Sequence, residues 1–276
     1  MNQLYRSIGI SKQAIAQCEK RQERFDIQVI DLMNEVEYLR SEHPGCGLEK
    51  IYFSLNPSFI GRDRFIELFT RLGFRLKKKL NYKRTTYSSP SNYPNLIKGM
   101  VVKEPSIIWQ TDITYFEVCD RFYYGVFIID VFTKIIVGHQ VSDNMRATAN
   151  IRALKMAIKK YKPPKIHHSD RGSQYTCNEY IELLKDYKCK ISMAQSAQDN
   201  AYAERINNTI KNEYLKYWKQ TTFGQLKIQV SKAVNNYNNT RIHNNLQREI
   251  PNTFYNNWQS NKRFRNKEMT IYNNEN

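Results

Sequence analysis

The sequence predicts an α/β chain: a mixed β-sheet flanked by helices, preceded by a small all-helical region. Three observations predict it. Residues 107–142 carry three successive stretches rich in β-branched and aromatic side chains, and beyond them helical and extended patterns alternate. Residues 1–75 instead repeat apolar side chains at helical spacing. Successive strands followed by α–β alternation make a mixed sheet that helices must cover.

In the first region, Val29, Leu32, Met33 and Val36 share one helical face, and Leu48, Ile51, Tyr52 and Leu55 share another. After a break at Asn56-Pro57-Ser58, Phe65, Leu68, Phe69 and Leu72 form a third set, and Gly73 is a natural stop. Two short helices around a tight break read equally as a helix-turn-helix, with Arg64 and Arg71 on the polar face of its second helix, or as an ordinary helical hairpin. The basic run that follows favours the DNA-binding reading. Residues 76–106, with Lys77, Lys78 and Lys79 followed by a polar, Pro-containing stretch, read as a linker. It suits either a phosphate backbone or a tether.

Strands are expected at 107–116, 122–130 and 134–142, then a helix at 147–161 that Pro163-Pro164 ends. A short strand at 165–169, a helix at 178–187 and a strand at 190–194 follow, then helices near 199–218 and 223–239. The main domain is taken as 107–255. Residues 256–276 read as a basic, Asn-rich tail, partly disordered.

Charge narrows the partners. Forty-three Lys and Arg against 26 Asp and Glu leave a formal +17. Nine basic residues and no acid lie between Arg71 and Lys103, and twelve basic residues against four acidic ones from Arg205 to Asn276. Charge so grouped favours a polyanion, bound through phosphate neutralisation and counterion release. Five scattered cysteines without a CxxC pair argue against a zinc knuckle and fit a reducing compartment, so the expected location is the cytoplasm, at the nucleoid. No signal peptide or membrane span is expected.

Three acidic residues stand in distinctive frames: Asp112 in WQTDITY, Asp170 in HHSDRGSQY, Glu204 in DNAYAERINN. Phosphoryl transfer by two metals needs hard oxygen ligands holding Mg²⁺ ions roughly 3.5–4 Å apart. Two strand ends and a nearby helix can supply them. Each residue alone has a plainer reading, as a turn cap or a solvated helix glutamate. Asp112, however, sits in an apolar run where an unpaired carboxylate is costly. Gly172 lets backbone approach a large ligand, and Lys211, seven residues past Glu204, shares its helix face.

The three stretches, with KNEYL after the third and the run Tyr237–Leu246 downstream, resemble bacterial insertion-sequence transposases of the IS-three type, second-frame product, whose core is similar to retroviral integrase. The resemblance implies a ribonuclease-H-like core. It also implies DNA cleavage at the element's ends followed by strand transfer, with Asp112, Asp170 and Glu204 holding two Mg²⁺ ions, for which Mn²⁺ can substitute. It places Gln174, Tyr175, Arg205, Asn208 and Lys211 near the reacting DNA, and gives Arg241 and His243 a bracing role. Implied partners are terminal-repeat and target DNA, further copies of the chain on that DNA, and a first-frame fusion partner supplying a leucine zipper and a separate helix-turn-helix segment.

One departure stands out: 33 residues separate Asp170 from Glu204, two fewer than the family pattern. The shortfall falls in the loop 194–198, with Asp199 as the fallback for Glu204. Two other functions compete: a catalytically silent DNA-binding regulator descended from a transposase, and a nuclease of the same fold that does not join.

Overall fold

The structure, a computed structural model, describes residues 11–76, 93–260 and 268–271. The chain falls into two units divided between Lys78 and Lys79.

The first unit is helical. Helix α1, Lys12–Glu42, is capped by Ser11, whose side chain accepts from Ala14 N at 3.1 Å, and buries Val29, Leu32 and Val36. Helix α2, Leu48–Leu55, ends at Asn56 in the left-handed region, and α3, Arg62–Arg71, ends before Gly73, whose φ of 87° a glycine adopts without strain. Ile51, Phe65 and Phe69 are fully buried, and the two phenylalanines stack at 4.3 Å. The apolar repeats thus mark the buried faces, although Leu72 lies past the helix and is exposed. Residues 56–61 connect α2 and α3, a longer link than the three- or four-residue turn of a helix-turn-helix, so the expected tight break does not form.

The second unit is built on a five-stranded sheet of order β4-β3-β2-β5-β6. Strand β1, Val101–Val102, stands apart from that sheet. Strands β2 (Ile108–Val118), β3 (Arg121–Asp130) and β4 (Ile136–Ser142) form an antiparallel meander, and β5 (Ile166–Ser169) and β6 (Lys190–Met193) add in parallel. Helices α4 (Ala147–Lys160), α5 (Ser173–Thr176) and α6 (Asn178–Asp186) lie on the face that buries Trp109, Val126 and Leu154. The opposite face is covered by α7 (Ala201–Thr209), a π-helical turn Ile210–Leu215 and α8 (Phe223–Asn239), over Phe116, Phe127 and Tyr237. Alternate side chains on each strand therefore feed two cores. Gly138 lets α4 settle on β4, since a Cβ there would stand 2.3 Å from the Ala153 carbonyl oxygen.

Two expectations need correcting. Residues 93–106 are not spacer: Ile97 and Val102 are core, and Met193 N donates to Pro94 O at 3.2 Å. Nor is 256–276 all plain tail. Helix α9, Pro251–Ser260, places Phe254 and Trp258 against Phe132, and β7, Met269–Thr270, pairs antiparallel with β1. Proline at a first helical turn loses no hydrogen bond, so Pro251 can start this helix.

Candidate active site

Sheet register brings the first two acids together. Gln110 on β2 pairs with His168 on β5, and Asp112 on β2 and Asp170, just past the end of β5, each follow that pair by two residues. The strands part company there, since β5 ends at Ser169. Asp170 turns back on itself: Gly172 N donates to its Oδ1 at 3.0 Å, and a Cβ at Gly172 would stand 3.1 Å from that oxygen. The glycine makes room for the carboxylate.

The third acid is set by amides. Gln110, fully buried, accepts from Tyr202 N at 3.1 Å and donates to Asp199 O at 3.3 Å, while Asn200 donates to Thr111 O at 2.9 Å. These bonds fasten the start of α7 to β2 and fix where Glu204 emerges. One turn on, Asn207 Nδ2 donates to Asp112 Oδ2 at 2.9 Å, and Ile113 N donates to Asp112 Oδ1 at 2.9 Å. Asn207 Oδ1 is buried beside Asp112 with no hydrogen-bond partner. Gln110 and Asn207 escaped the sequence reading. The spacing of Asn207 from Glu204 was the available signal, since residues three apart share a helix face.

Electrostatics separate these acids from their neighbour. Burial, then the charge of Asp170 and further that of Glu204, push the Asp112 carboxyl up to about 8, against the bonds from Ile113 and Asn207. Burial also raises Asp170, against the Gly172 bond, and Glu204. Asp199 moves the other way. Burial would raise it, but the amides of Ser196 and Gln195, at 2.8 and 2.9 Å, outweigh that and hold it below its ordinary value. With Ser196 it forms a capping box for the 3₁₀ turn Ala197–Asn200. That turn closes the shortened loop, and Asp199 is used in closing it.

The three acids do not stand as one ready ligand shell. Among the described residues no group of three His, Cys, Asp or Glu is close enough to hold a metal ion. The chemistry fits a hard cation nonetheless: clustered carboxylates with raised pKa values and an unpartnered buried amide oxygen, with no buried cation bonded to them.

The DNA-side residues divide. Arg205 and Asn208 are exposed and line a groove of about 370 Å³ with Glu204. Lys211 lies in the π-helical turn, with Lys216 N bonded to Lys211 O at 2.9 Å; its ammonium sits 4.2 Å from the centre of the Tyr115 ring, and burial lowers its pKa. Gln174 Nε2 donates to Met145 O at 3.0 Å. Tyr175 is a correction: it is 1% exposed, its hydroxyl lies 3.3 Å from Thr111 Oγ1, and it belongs to the core beneath Asp112 rather than to a DNA surface. Arg64 is exposed over the Phe25 ring at 4.6 Å, Arg71 pairs with Glu67 at 2.5 Å, and Lys77, Lys78 and Lys79 lie outside the described residues. Arg241 grips Glu213 through two bonds of 2.8 and 2.9 Å and contacts His243 at 2.8 Å, which ties the end of α8 to the π-helical turn. The His167-His168 doublet is core, bonded to Tyr180 and Ser192 and driven by burial to pKa values of about 3 and 4.

Residues 102–198 and 185–251 each match a family model described as an integrase core domain. The chain is 34% identical over 171 residues to the 31 kDa protein of insertion element IS600 from Shigella sonnei, covering 59% of this chain and 63% of that protein. It thus spans less than two thirds of that relative's length. It is 30% identical over 188 residues to the transposase for insertion sequence element IS904 of Lactococcus lactis subsp. lactis, covering 66% of this chain and 73% of that one. It is also similar to the HTLV-2 integrase catalytic core domain in complex with magnesium, with 22% identity and a TM-score of 0.45, covering 53% of this chain and 94% of that one. The chain belongs to the insertion-sequence transposases that carry an integrase core domain.

Proposed function

We propose that this chain cuts one DNA strand at the ends of an insertion sequence and directs the freed 3′-hydroxyl at a second phosphate. The observation that carries the reading is the Asp112 carboxyl, raised to about 8 by burial and by the charges of Asp170 and Glu204. Burial and the charges of two acids from separate stretches disfavour its ionised form, and a cation placed among them repays that cost. Asp112, Asp170 and Glu204 would hold two Mg²⁺ ions, with Mn²⁺ as a substitute. Bound there, such ions would lower the pKa of the attacking water or hydroxyl and stabilise the leaving oxygen.

The remaining work falls to the chain's own groups. Gln110 and Asn200 hold α7 against β2, so Glu204 keeps its place without a covalent tie to either Asp. Asn207 orients Asp112. Arg205 and Asn208 line an open groove beside Glu204, where a DNA backbone can lie. Lys211, held over Tyr115, adds a cation on the β2 side, and Gln174 flanks Asp170. Arg64 and Arg71 on α3, with the lysines at 77–79, extend the phosphate contacts beyond the core. Two element ends and a target must meet, so copies of the chain assemble on DNA, with a first-frame fusion partner supplying end recognition.

The experiment incubates purified protein and Mg²⁺ with DNA bearing the terminal repeats, beside the Asp170→Asn variant. Nicks plus joined products, both lost in the variant, are expected. Nicks without joining would indicate a nuclease. Retention of DNA that never yields a cut and is unchanged by the variant would indicate a regulator.

A further inference from the structure

Away from the carboxylates, charge gathers at one edge of the sheet. Strand β4 is the outermost strand, with α4 packed on one face and α8 on the other. The chain has no acid from Asn144 to Ser169 but seven basic residues, and none from Tyr214 to Arg248 but six. These stretches contain α4 and α8 whole. Where the helix starts meet the end of β4, a cleft of about 450 Å³ opens, lined by Gln140, Asn144, Arg146, Arg152 and Lys227, three cations against the one acid in its lining, Asp143. The three cations are exposed. No ion pair among the described residues occupies Arg146, Arg152 or Lys227; Lys227 instead rests over the Phe223 ring at 4.2 Å.

We propose that this cleft is a second phosphate-binding track for duplex DNA, apart from the groove that holds Glu204. The two share no lining residue. Strand register puts Gln140 level with Ile113, two strands and ~10 Å across the sheet from the strand that bears Asp112. The Gln174–Met145 bond joins α5, which starts three residues past Asp170, to the turn that opens the cleft, so one duplex can run from the carboxylates into it. A second copy of the chain is the poorer occupant, because two surfaces with cations and little acid repel. The inference rests on the DNA-processing function above.

Its test needs neither cleavage nor divalent cation. Binding of the full chain to a duplex lacking any terminal repeat is measured against salt for wild type, for Arg146→Gln/Arg152→Gln/Lys227→Gln, and for a control, Lys185→Gln/Lys188→Gln/Lys190→Gln. Each phosphate contact contributes about 0.9 to the slope of log K against log salt. The triple variant is expected to flatten that slope by ~2–3 and weaken binding by at least ~10-fold at low salt, with the control unchanged. A triple variant whose slope matches wild type overturns the track. So does one that keeps the slope but loses self-association in sedimentation, which would make the edge a contact between copies. A wild type that ignores duplex altogether overturns the DNA reading itself.

Discussion

Asp112 and Asp130 sit on neighbouring strands of one sheet, and burial raises both carboxyls, yet they are built for opposite ends. Asp130 closes the end of β3. Its oxygens accept from Ser106 N at 2.7 Å, Thr133 N at 2.8 Å and Thr133 Oγ1 at 2.9 Å, and the charge of Lys134 lies nearby. Asp112 accepts from one backbone amide and one asparagine, and its charged neighbours are two more acids. Burial alone therefore does not mark a functional carboxylate. The sign of the surrounding charge separates the two: Asp130 is surrounded by donors and a lysine, Asp112 by two further acids, as the proposed role requires.

Substitution should separate the pair sharply. Asp112→Asn is expected to cut strand nicking about a thousandfold while leaving the circular dichroism spectrum intact. Asp130→Ala is expected to do the reverse. It strands three buried donors, so denaturant unfolding should show a loss of about 3 kcal/mol or more, with nicking retained by whatever remains folded in the cold.

Acidity sharpens the contrast further. The folded Asp112 carboxyl titrates near 8, well above the ~4 of an unfolded chain, so across that window the folded state holds more protons. Its contribution to stability therefore falls as pH rises from about 4 towards 8 in metal-free buffer. Thermal unfolding should find Asp112→Asn gaining on wild type as pH is raised from 5 to 8. A constant offset between the two would place Asp112 outside the cluster.

The smallest effect belongs to the acid with the lowered pKa. Asp199→Ala removes one half of a capping box, at a cost of about 1 kcal/mol by thermal unfolding, and should reduce nicking far less than Glu204→Gln. Equal losses in the two variants would reassign the third ligand.

Much of this architecture was legible in the sequence. The strand expected at 122–130 and the helix at 223–239 match β3 and α8 to within a residue, because strong periodicity and clear stops bound them. The three acids stood out by their frames, and in the fold the charges of Asp170 and Glu204 act on Asp112. What stayed hidden were long-range pairings of weak segments: β1 with β7 is two residues long on each side, too short for any period to show. The resemblance placed Tyr175 with Gln174 near the DNA, but one residue on in the helix the side chain turns to the core. Gln110 and Asn207 read as ordinary polar residues until the fold set their amides beside Asp112 and the start of α7.

The most direct measurement is calorimetric titration of the metal-free protein with Mg²⁺ at pH 7, in buffers of different ionisation heat. If the three acids share one cation site, binding must displace the proton that Asp112 carries at that pH, releasing about one proton or more, and Asp112→Asn must abolish most of that release. Magnesium binding that sheds no proton, or sheds the same number from the variant, would contradict a shared site.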